Sequence, residues 1–336
     1  MSNVLCFGEL LLRLSPQLNG AWLQQNSMPV FVGGAELNAA TALAKWDIPV
    51  SYCTALPRHY LSEEIVAFID EKGIATDRIL FSGNRIGTYY LPQGADLKNA
   101  GVIYDRAYSS FWDLKPRQVN WDEVLDGVSW FHFSAISPAL NENVAAVCLE
   151  AVRAASNKGI TVSVDLNYRA KLWQYGKQPS EVMPALVEYC DLVMGNLWSE
   201  EKMLGVPVPA ALPHEKEAYL DQSARTSETI IKNFPRCRQV ANTFRFDEGT
   251  GIKYYATLYD GSHLLVSNER NADHIVDKVG SGDTFMAGLI YGNYHRLPSQ
   301  EIINFAAAAA FNKLFIKGDA TTASVQDIRK DFLNYA

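Results

Sequence analysis

The feature that most constrains the fold is an alternation between short apolar segments and longer segments with helical periodicity. This pattern is typical of a parallel sheet with helices on both faces, because parallel strands need a crossover that a helix supplies. We therefore predict the α/β class with a mostly parallel central sheet. The predicted strands are residues 4–8, 50–55, 128–134, 161–166, 192–195, 238–243, 253–258 and 264–267. The predicted helices are residues 37–46, 62–72, 142–158, 181–189, 283–294, 300–315 and 325–335.

Two stretches break the alternation. Helical periodicity disappears over residues 11–32 and 83–112, where short alternating runs are bounded by Gly, Pro and Asn. Both stretches are too short for a core of their own, so we expect them to pair into a small β-sheet lid. Residues 1–336 are accordingly predicted to form a single domain with this lid.

Charge and composition argue against several classes of protein. The net charge of -7 argues against nucleic-acid partners, which need clustered positive charge. No apolar run reaches the ~18 residues that span a bilayer, so no membrane association is expected. The five cysteines are far apart and lack metal-ligand spacing, which favours buried thiols in a reduced compartment. We expect a cytoplasmic protein.

The segment DKVGSGDTFMAG, residues 277–288, combines features that packing alone does not explain. Gly280 and Gly282 allow a tight turn, and the predicted helix that follows directs its free N–H groups at the same place. Negative charge is stabilised there. The structural alternative is that Asp283 only caps the helix.

As a functional group, Asp283 can accept the proton of a hydroxyl nucleophile while the loop amides stabilise a transferred phosphoryl group. The helix dipole predicts that Asp283 is ionised at neutral pH. Other phosphate loops are excluded, because no GxxxxGK[ST] occurs and Phe285 stands where a dinucleotide fingerprint needs its third glycine.

The spacing DxxGxGDxFxxG resembles the carboxy-terminal signature of the ribokinase-like (PfkB-type) carbohydrate kinases. Further matches follow in the family's order, namely GGAELN at 33–38, DLNYR at 165–169 and Asn196. The resemblance extends over nearly the whole chain and implies a ribokinase-like fold, a sugar under the lid, and ATP with Mg²⁺ beside the loop.

The resemblance also implies roles for single residues. Asp283 corresponds to the catalytic base, and the amides of Gly280, Ser281 and Gly282 correspond to the anion hole. By the same resemblance, Asp277 is expected near the metal without contacting it directly. The nucleotide contacts implied are Asn196, Gly280, Gly282 and Thr243.

The substrate side has its own candidates. Gly33 and Gly34 let a polyol approach the backbone, and Asn38 offers both a donor and an acceptor. The segments RIGTYYLPQG and VIYDRAYS resemble the 2-keto-3-deoxygluconate kinase branch. Together with this resemblance, the predicted substrate contacts are Gly33, Gly34, Asn38, Tyr89, Tyr104, Arg106, Asn167 and Arg169.

Two arginines suit a substrate with a carboxylate, because guanidinium groups pair with it in bidentate fashion. The expected reaction is phosphorylation of 2-dehydro-3-deoxy-D-gluconate at its 6-hydroxyl by ATP. A neutral-sugar kinase such as a fructokinase is the first alternative, and a non-catalytic sugar or nucleotide sensor is the second. Exposed lid strands further predict a homodimer through the lid.

Three segments depart from the family pattern. Ser199 stands where the glutamate of the usual Asn-x-x-Glu motif is expected, and Glu200 and Glu201 follow one and two positions later. NTFRFD, residues 242–247, replaces the usual Thr-x-Gly segment, and Lys278 and Val279 replace a pair of threonines. The acid near the magnesium and the nucleotide contacts outside residues 280–283 are therefore left open.

Overall fold

The structure, a computed structural model, describes residues 3–17, 22–24, 27–92, 101–248 and 251–334. Its strands in chain order are β1 Asn3–Phe7, β2 Leu11–Leu14, β3 Val30–Gly33, β4 Val50–Cys53, β5 Ala55–Leu56, β6 Ile74–Ala75, β7 Leu80–Phe81, β8 Gly87–Tyr90, β9 Ile103–Asp105, β10 Val128–Ser134, β11 Thr161–Asp165, β12 Leu192–Gly195, β13 Gln239–Glu248, β14 Gly251–Tyr259, β15 Leu264–Val266 and β16 Arg270–Ala272. Its α-helices are α1 Ala35–Lys45, α2 Tyr60–Asp70, α3 Trp121–Val124, α4 Glu142–Asn157, α5 Pro179–Val187, α6 Leu197–Leu204, α7 Lys216–Asn233, α8 Ser281–Tyr294, α9 Ser299–Lys313 and α10 Val325–Asn334.

Within the described residues, ten strands form one large sheet in the order β15-β14-β13-β12-β11-β10-β1-β4-β6, with β16 also paired to β14. The strands from β13 to β6 run parallel, whereas β14 pairs antiparallel with its neighbours. The mostly parallel α/β class predicted from the alternation is therefore confirmed.

Helices cover both faces of this sheet, as the side chains of β1 demonstrate. Val4 and Cys6 belong to the core that contains α1, α8 and α9. Leu5 and Phe7 belong to a second core, which contains α4 and α5. Since successive strand residues point to opposite faces, each face of the sheet buries its own apolar layer.

A separate small sheet has the order β3-β2-β8-β9. Its strands come from the two stretches in which helical periodicity was lost, and β3 extends one residue beyond the first of them. β2 pairs antiparallel with β3 and parallel with β8, so the two insertions meet at the centre of the sheet. Residues 18–21, 25–26 and 93–100 of the predicted lid lie outside the described residues.

The largest differences from the prediction lie between β12 and β13. The prediction left out α6 and α7, and α7 is an 18-residue helix. Its sequence is mostly polar and buries only a narrow stripe, so it lacks a strong apolar period. The predicted strand 50–55 is divided into β4 and β5, and the last predicted helix residue, 335, lies outside the described residues.

Two further expectations concern composition. All five cysteines are free thiols and are buried, which confirms them as core residues. Within the part of the chain that the structure describes, no helix has both the length and the apolarity to cross a membrane.

Candidate active site

A cavity of about 380 Å³ lies where several parallel strands end. Asp165 ends β11 and Gly195 ends β12, and both line the cavity. Open α/β sheets bind ligands at the carboxyl ends of their strands. The small sheet contributes Leu11, Tyr89 and Tyr104 to the wall and therefore covers one end of the cavity.

The amino terminus of α8, residues 280–283, lies on the cavity wall, and we call it the anion loop after its predicted role. Gly280 has φ 78°, a left-handed conformation that favours glycine. A Cβ atom there would lie 1.7 Å from the carbonyl oxygen of Asp319, so the close approach also excludes other residues. The N–H groups of the first helical turn have no partner within the helix. They are available for an anion in the cavity.

Asp283 lies in the first turn of α8 and is partly exposed to the cavity. Its Oδ2 accepts a hydrogen bond of 2.7 Å from Nδ2 of Asn38. Burial raises the pKa of Asp283 to about 8, an effect that Asn38 opposes and that the nearby carboxylates of Asp165 and Glu36 increase. The expectation of an ionised Asp283 at neutral pH is therefore wrong, because burial favours the neutral form of the acid.

Glu36 is a buried acid that the sequence analysis missed, although it lies within GGAELN. Its Oε1 accepts hydrogen bonds from the backbone N–H of Ser134 at 2.8 Å and from the Ser134 hydroxyl at 2.7 Å. Burial raises the pKa of Glu36 to about 7. Glu36 also lines the cavity, and its charge acts on Asp283.

Arg106 is buried and already has a partner. Its Nε and Nη2 lie 2.7 Å and 2.6 Å from Oε2 of Glu9, while the hydroxyl of Ser109 donates to the other oxygen of Glu9. Glu9 and Arg106 both line the cavity. A cationic Arg106 was predicted, but the pair with Glu9 was not, since 97 positions separate the two residues.

Arg169 differs from Arg106 in its surroundings. It lines the cavity together with Asn167, and its Nη1 donates to the carbonyl oxygen of Tyr168 at 3.0 Å. It forms no ion pair with any residue that the structure describes. Arg169 is therefore the more available cation on this side of the cavity.

On the opposite side, Asn196 caps α6. Its side chain accepts from the N–H of Ser199 at 2.9 Å, and the Ser199 hydroxyl lies 2.8 Å from the N–H of Asn196, which forms a capping box. Glu200 is fully buried and accepts a 2.6 Å hydrogen bond from Asn242. Burial raises the pKa of Glu200 to about 8. Ser199, which replaces the glutamate of the usual Asn-x-x-Glu motif, lines the cavity. The displaced acids Glu200 and Glu201 do not.

The same side carries aromatic residues that the sequence analysis did not single out. Trp198, Tyr219, Phe244 and Phe246 line the cavity, with the Tyr219 ring centroid 5.8 Å from Phe244 and 5.3 Å from Phe246. Trp198 is 50% exposed, which is unusual for a large aromatic side chain. The alternating aromatics of residues 244–246 were the available signal.

Most predicted site residues meet in this one cavity. Those that line it are Gly34, Asn38, Tyr89, Tyr104, Arg106, Asn167, Arg169, Asn196, Thr243, Gly280, Ser281, Gly282 and Asp283. Gly33 and Asp277, although described, do not belong to its wall. Asp277 instead accepts from Arg13 and from the N–H groups of Val279 and Gly318.

Comparisons with known proteins show the family and the fold of this chain. Residues 1–234 match the model of the pfkB family carbohydrate kinases. The structure of 2-dehydro-3-deoxygluconokinase from Thermotoga maritima is 36% identical, has a TM-score of 0.88, and the match covers 98% of this chain and 99% of that one. The 2-dehydro-3-deoxygalactonokinase of Haloferax volcanii is 25% identical over 98% of this chain and 96% of its own length.

A putative ribokinase II from E. coli in complex with ATP and Mg²⁺ shares the fold at 15% identity, with a TM-score of 0.77 and coverage of 99% of this chain and 100% of that one. The fold is thus ribokinase-like, as the motifs implied. The family model covers well over half of this sequence. The chain therefore belongs to the pfkB family of carbohydrate kinases.

Proposed function

We propose that the protein transfers the γ-phosphoryl group of ATP to the C6 hydroxyl of 2-dehydro-3-deoxy-D-gluconate, giving the 6-phosphate and ADP. One observation carries the proposal: Asp283, hydrogen-bonded to Asn38, shares a cavity with the anion loop and with Arg169. An alcohol, a base, an anion site and a carboxylate partner can therefore meet in one place.

In the proposed mechanism, Asp283 removes the proton of the C6 hydroxyl as the oxygen attacks the γ-phosphorus. The bond from that phosphorus to the bridging oxygen breaks, and ADP leaves with the electron pair. The N–H groups of the loop stabilise charge on the transferred group. Asn38 holds the Asp283 carboxylate in place through its 2.7 Å hydrogen bond.

The divalent ion would be held mainly by ATP. Among the described residues, no group of three or more His, Cys, Asp or Glu side chains could hold a metal alone. Mg²⁺ commonly keeps several waters and uses one or two carboxylates with substrate phosphates, so the site fits it. When bound, Mg²⁺ supplies charge neutralisation for the phosphates.

Asp165 is the residue that would hold this ion. It lies in the cavity wall, and its Oδ1 accepts from the N–H of Asn167 at 3.0 Å. Burial raises the pKa of Asp165 only to about 6, so the group is largely ionised at pH 7.5. The role proposed for Asp165 replaces the indirect metal role expected for Asp277, whose oxygens bind Arg13 and backbone N–H groups.

The choice of an acid sugar rests on Arg169. Since Glu9 pairs with Arg106, Arg169 is the cation that a substrate carboxylate could pair with on this side of the cavity. Tyr89 and Tyr104, on the small sheet, complete the polar wall around the substrate. Two of the three similar kinases named above, those of Thermotoga maritima and Haloferax volcanii, have names that refer to 2-dehydro-3-deoxy sugar acids, which supports the same class.

The second candidate function is phosphorylation of a neutral sugar such as fructose. The Glu9 and Arg106 pair favours it, because a neutralised arginine still donates hydrogen bonds to hydroxyl groups. Under this alternative, Arg169 would bind a hydroxyl or a phosphate.

A coupled ADP-release assay tests the proposal. The panel contains 2-dehydro-3-deoxy-D-gluconate, its C4 epimer 2-dehydro-3-deoxy-D-galactonate, fructose and ribose, each with Mg²⁺ and ATP. We expect the highest kcat/KM for the gluconate derivative. A higher value for fructose would establish the neutral-sugar alternative, and binding without ADP release from any sugar would indicate a sensor.

Assembly is part of the same proposal. β3 and β9 are the outer strands of the small sheet, and Val30 and Ile103 on them are 53% and 52% exposed. Unpaired edges with exposed apolar side chains favour pairing with a second copy. We therefore expect a homodimer through the small sheets. Analytical ultracentrifugation at micromolar concentration checks this, and Val30→Lys should shift the protein to monomer.

A further inference from the structure

A buried charged cluster lies behind the anion loop, outside the cavity wall. The side chains of Arg13 and Asp319 are 3% and 2% exposed. Nη2 of Arg13 lies 2.7 Å from Oδ1 of Asp319 and 3.1 Å from Oδ2 of Asp277. One guanidinium group thus pairs with two carboxylates in the protein interior.

The cluster joins the two parts of the molecule that handle the two substrates. Arg13 lies on β2 in the small sheet, in register with Phe31 of β3 and Tyr89 of β8. Its guanidinium carbon lies 4.3 Å from the centre of the Phe31 ring, and the Tyr89 hydroxyl donates to Oδ2 of Asp319 at 3.0 Å. Three strands of the small sheet therefore contact Arg13 or Asp319.

On the other side, Asp319 contacts the anion loop directly. Its carbonyl oxygen packs so closely on Gly280 that a Cβ at that glycine would lie 1.7 Å away. Its Oδ2 stands 2.4 Å from the position of a Cβ on Gly33, at the end of β3. A displacement of Asp319 must therefore disturb both the anion loop and the small sheet.

Asp277 fastens the same loop from its start. Oδ1 accepts from the N–H of Val279 at 3.0 Å, and Oδ2 accepts from the N–H of Gly318 at 3.2 Å. The segment before the anion loop and the segment that carries Asp319 are thus held by one carboxylate. Arg13 is the link from both segments to the small sheet.

We propose that Arg13 and Asp319 are positioning residues that couple the small sheet over the sugar to the anion loop at the phosphates. Tyr89 lines the cavity and contacts Asp319, so a sugar that orders Tyr89 also stabilises the loop. Sugar and nucleotide then strengthen each other's binding by the same factor, as linkage requires. The inference rests on the proposed transfer from ATP to a sugar and adds how the two sites communicate.

A purely structural ion pair is the competing explanation, and it predicts a different result. Removing one partner of a buried ion pair lowers stability whether or not the pair lies near a site, because it leaves the other charge buried and uncompensated. The partly buried pair of Arg236 and Asp191, at 3.0 Å, offers a control, because Asp191 precedes β12 at the end of that strand opposite the cavity. Asp191→Asn should lower the melting temperature without altering the interaction between the two ligands.

The experiment is calorimetric titration of the full chain with 2-dehydro-3-deoxy-D-gluconate, with and without Mg²⁺ and a non-hydrolysable ATP analogue. We expect the nucleotide to increase sugar affinity in the wild type by roughly 5- to 150-fold, the usual range of such coupling. In Asp319→Asn, addition of the nucleotide should raise sugar affinity by less than about 2-fold. Sugar affinity measured without nucleotide should differ from that of the wild type by less than about 3-fold. Arg13→Lys retains the charge and should keep an intermediate coupling.

Either of two outcomes would overturn the inference. One is a wild type without coupling, and the other is full coupling in both variants despite lowered melting temperatures. If Asp319→Asn fails to fold, Arg13→Lys alone decides between these results. ADP release by the same wild-type preparation tests the proposed reaction separately, so the failure of one proposal is distinguishable from the failure of the other.

Discussion

The two ends of the cavity are built from different kinds of interaction. Under the small sheet, polar side chains pair with each other, as Glu9 does with Arg106 at 2.6 Å. At the far end, the wall consists largely of aromatic faces, among them Trp198, Tyr219 and Phe246. Paired charges define directions for hydrogen bonds, whereas aromatic faces offer contact area with little directional preference.

This difference coincides with where the chain departs from its family's pattern. The residues proposed to bind the sugar lie under the small sheet, while the end proposed to bind the nucleotide lacks the usual Asn-x-x-Glu acid and the Thr-x-Gly segment. Aromatic contacts tolerate such changes because every nucleobase has a π-face. Specificity should therefore depend strongly on the sugar end and weakly on the far end.

The largest effect should come from the residue at the junction of the two ends. Asp283→Asn removes the base but keeps the size of the side chain, so kcat should fall by about 10²- to 10⁴-fold, the usual range for general base catalysis. Sugar affinity measured by calorimetry should change little. Asp122→Asn, at a side chain that is 87% exposed, is the control. Retained turnover in Asp283→Asn would show that another group removes the proton.

The same variant should be more stable than the wild type at alkaline pH. Since the pKa of Asp283 is raised to about 8, the folded state binds more protons than the unfolded state between about pH 4 and pH 8. Stability contributed by this group is therefore present at low pH and is lost as pH rises through 8. Thermal unfolding of both proteins at pH 6 and pH 9 measures the difference, which should be larger at pH 9.

At the sugar end, Arg169→Gln should reduce kcat/KM for the sugar acid by about 10- to 100-fold. A hydrogen bond to a charged group contributes about 1.5–3 kcal/mol, and each 1.4 kcal/mol is about tenfold. Arg85→Gln, at an arginine that does not line the cavity, should have no such effect. Equal losses for fructose and for the acid would contradict carboxylate binding by Arg169.

The pH profile of kcat/KM should follow the protonation state of Asp283 in the free enzyme. Only the ionised form of Asp283 accepts a proton, so activity should rise about tenfold from pH 7 to pH 9 and level off above about pH 9. A profile that is flat over this range would mean that the group is ionised throughout.

The smallest effect should come from the aromatic end. Trp198→Ala should raise KM for ATP by roughly 3- to 10-fold, near the lower limit for a stacked base, because the ring is 50% exposed. KM for the sugar should stay unchanged. Tyr60→Ala removes an aromatic ring that is 81% exposed on α2 and should alter neither constant. If Trp198→Ala raised KM for ATP by a larger factor than Arg169→Gln lowers kcat/KM for the sugar acid, the expected order of the two ends would be reversed.

Local patterns made part of this site predictable. The glycines and the acid of residues 280–283 have a spacing that only a tight turn before a helix satisfies, and α8 begins at Ser281. Family motifs then indicated Asn38 and Arg169. By contrast, α7 was missed because its polar sequence buries only a narrow stripe, and Trp198 had no periodic signal of its own.

The α/β class and the tight turn before α8 could be derived from residue order alone, because both follow from periodicities and turn chemistry within a few residues. The raised pKa of Asp283, the pairing of Glu9 with Arg106 and the contact of Asp319 with Tyr89 became visible only in the folded chain. Each of these properties arises from burial and from charges brought together from distant parts of the chain. Such contacts leave no local pattern in the sequence.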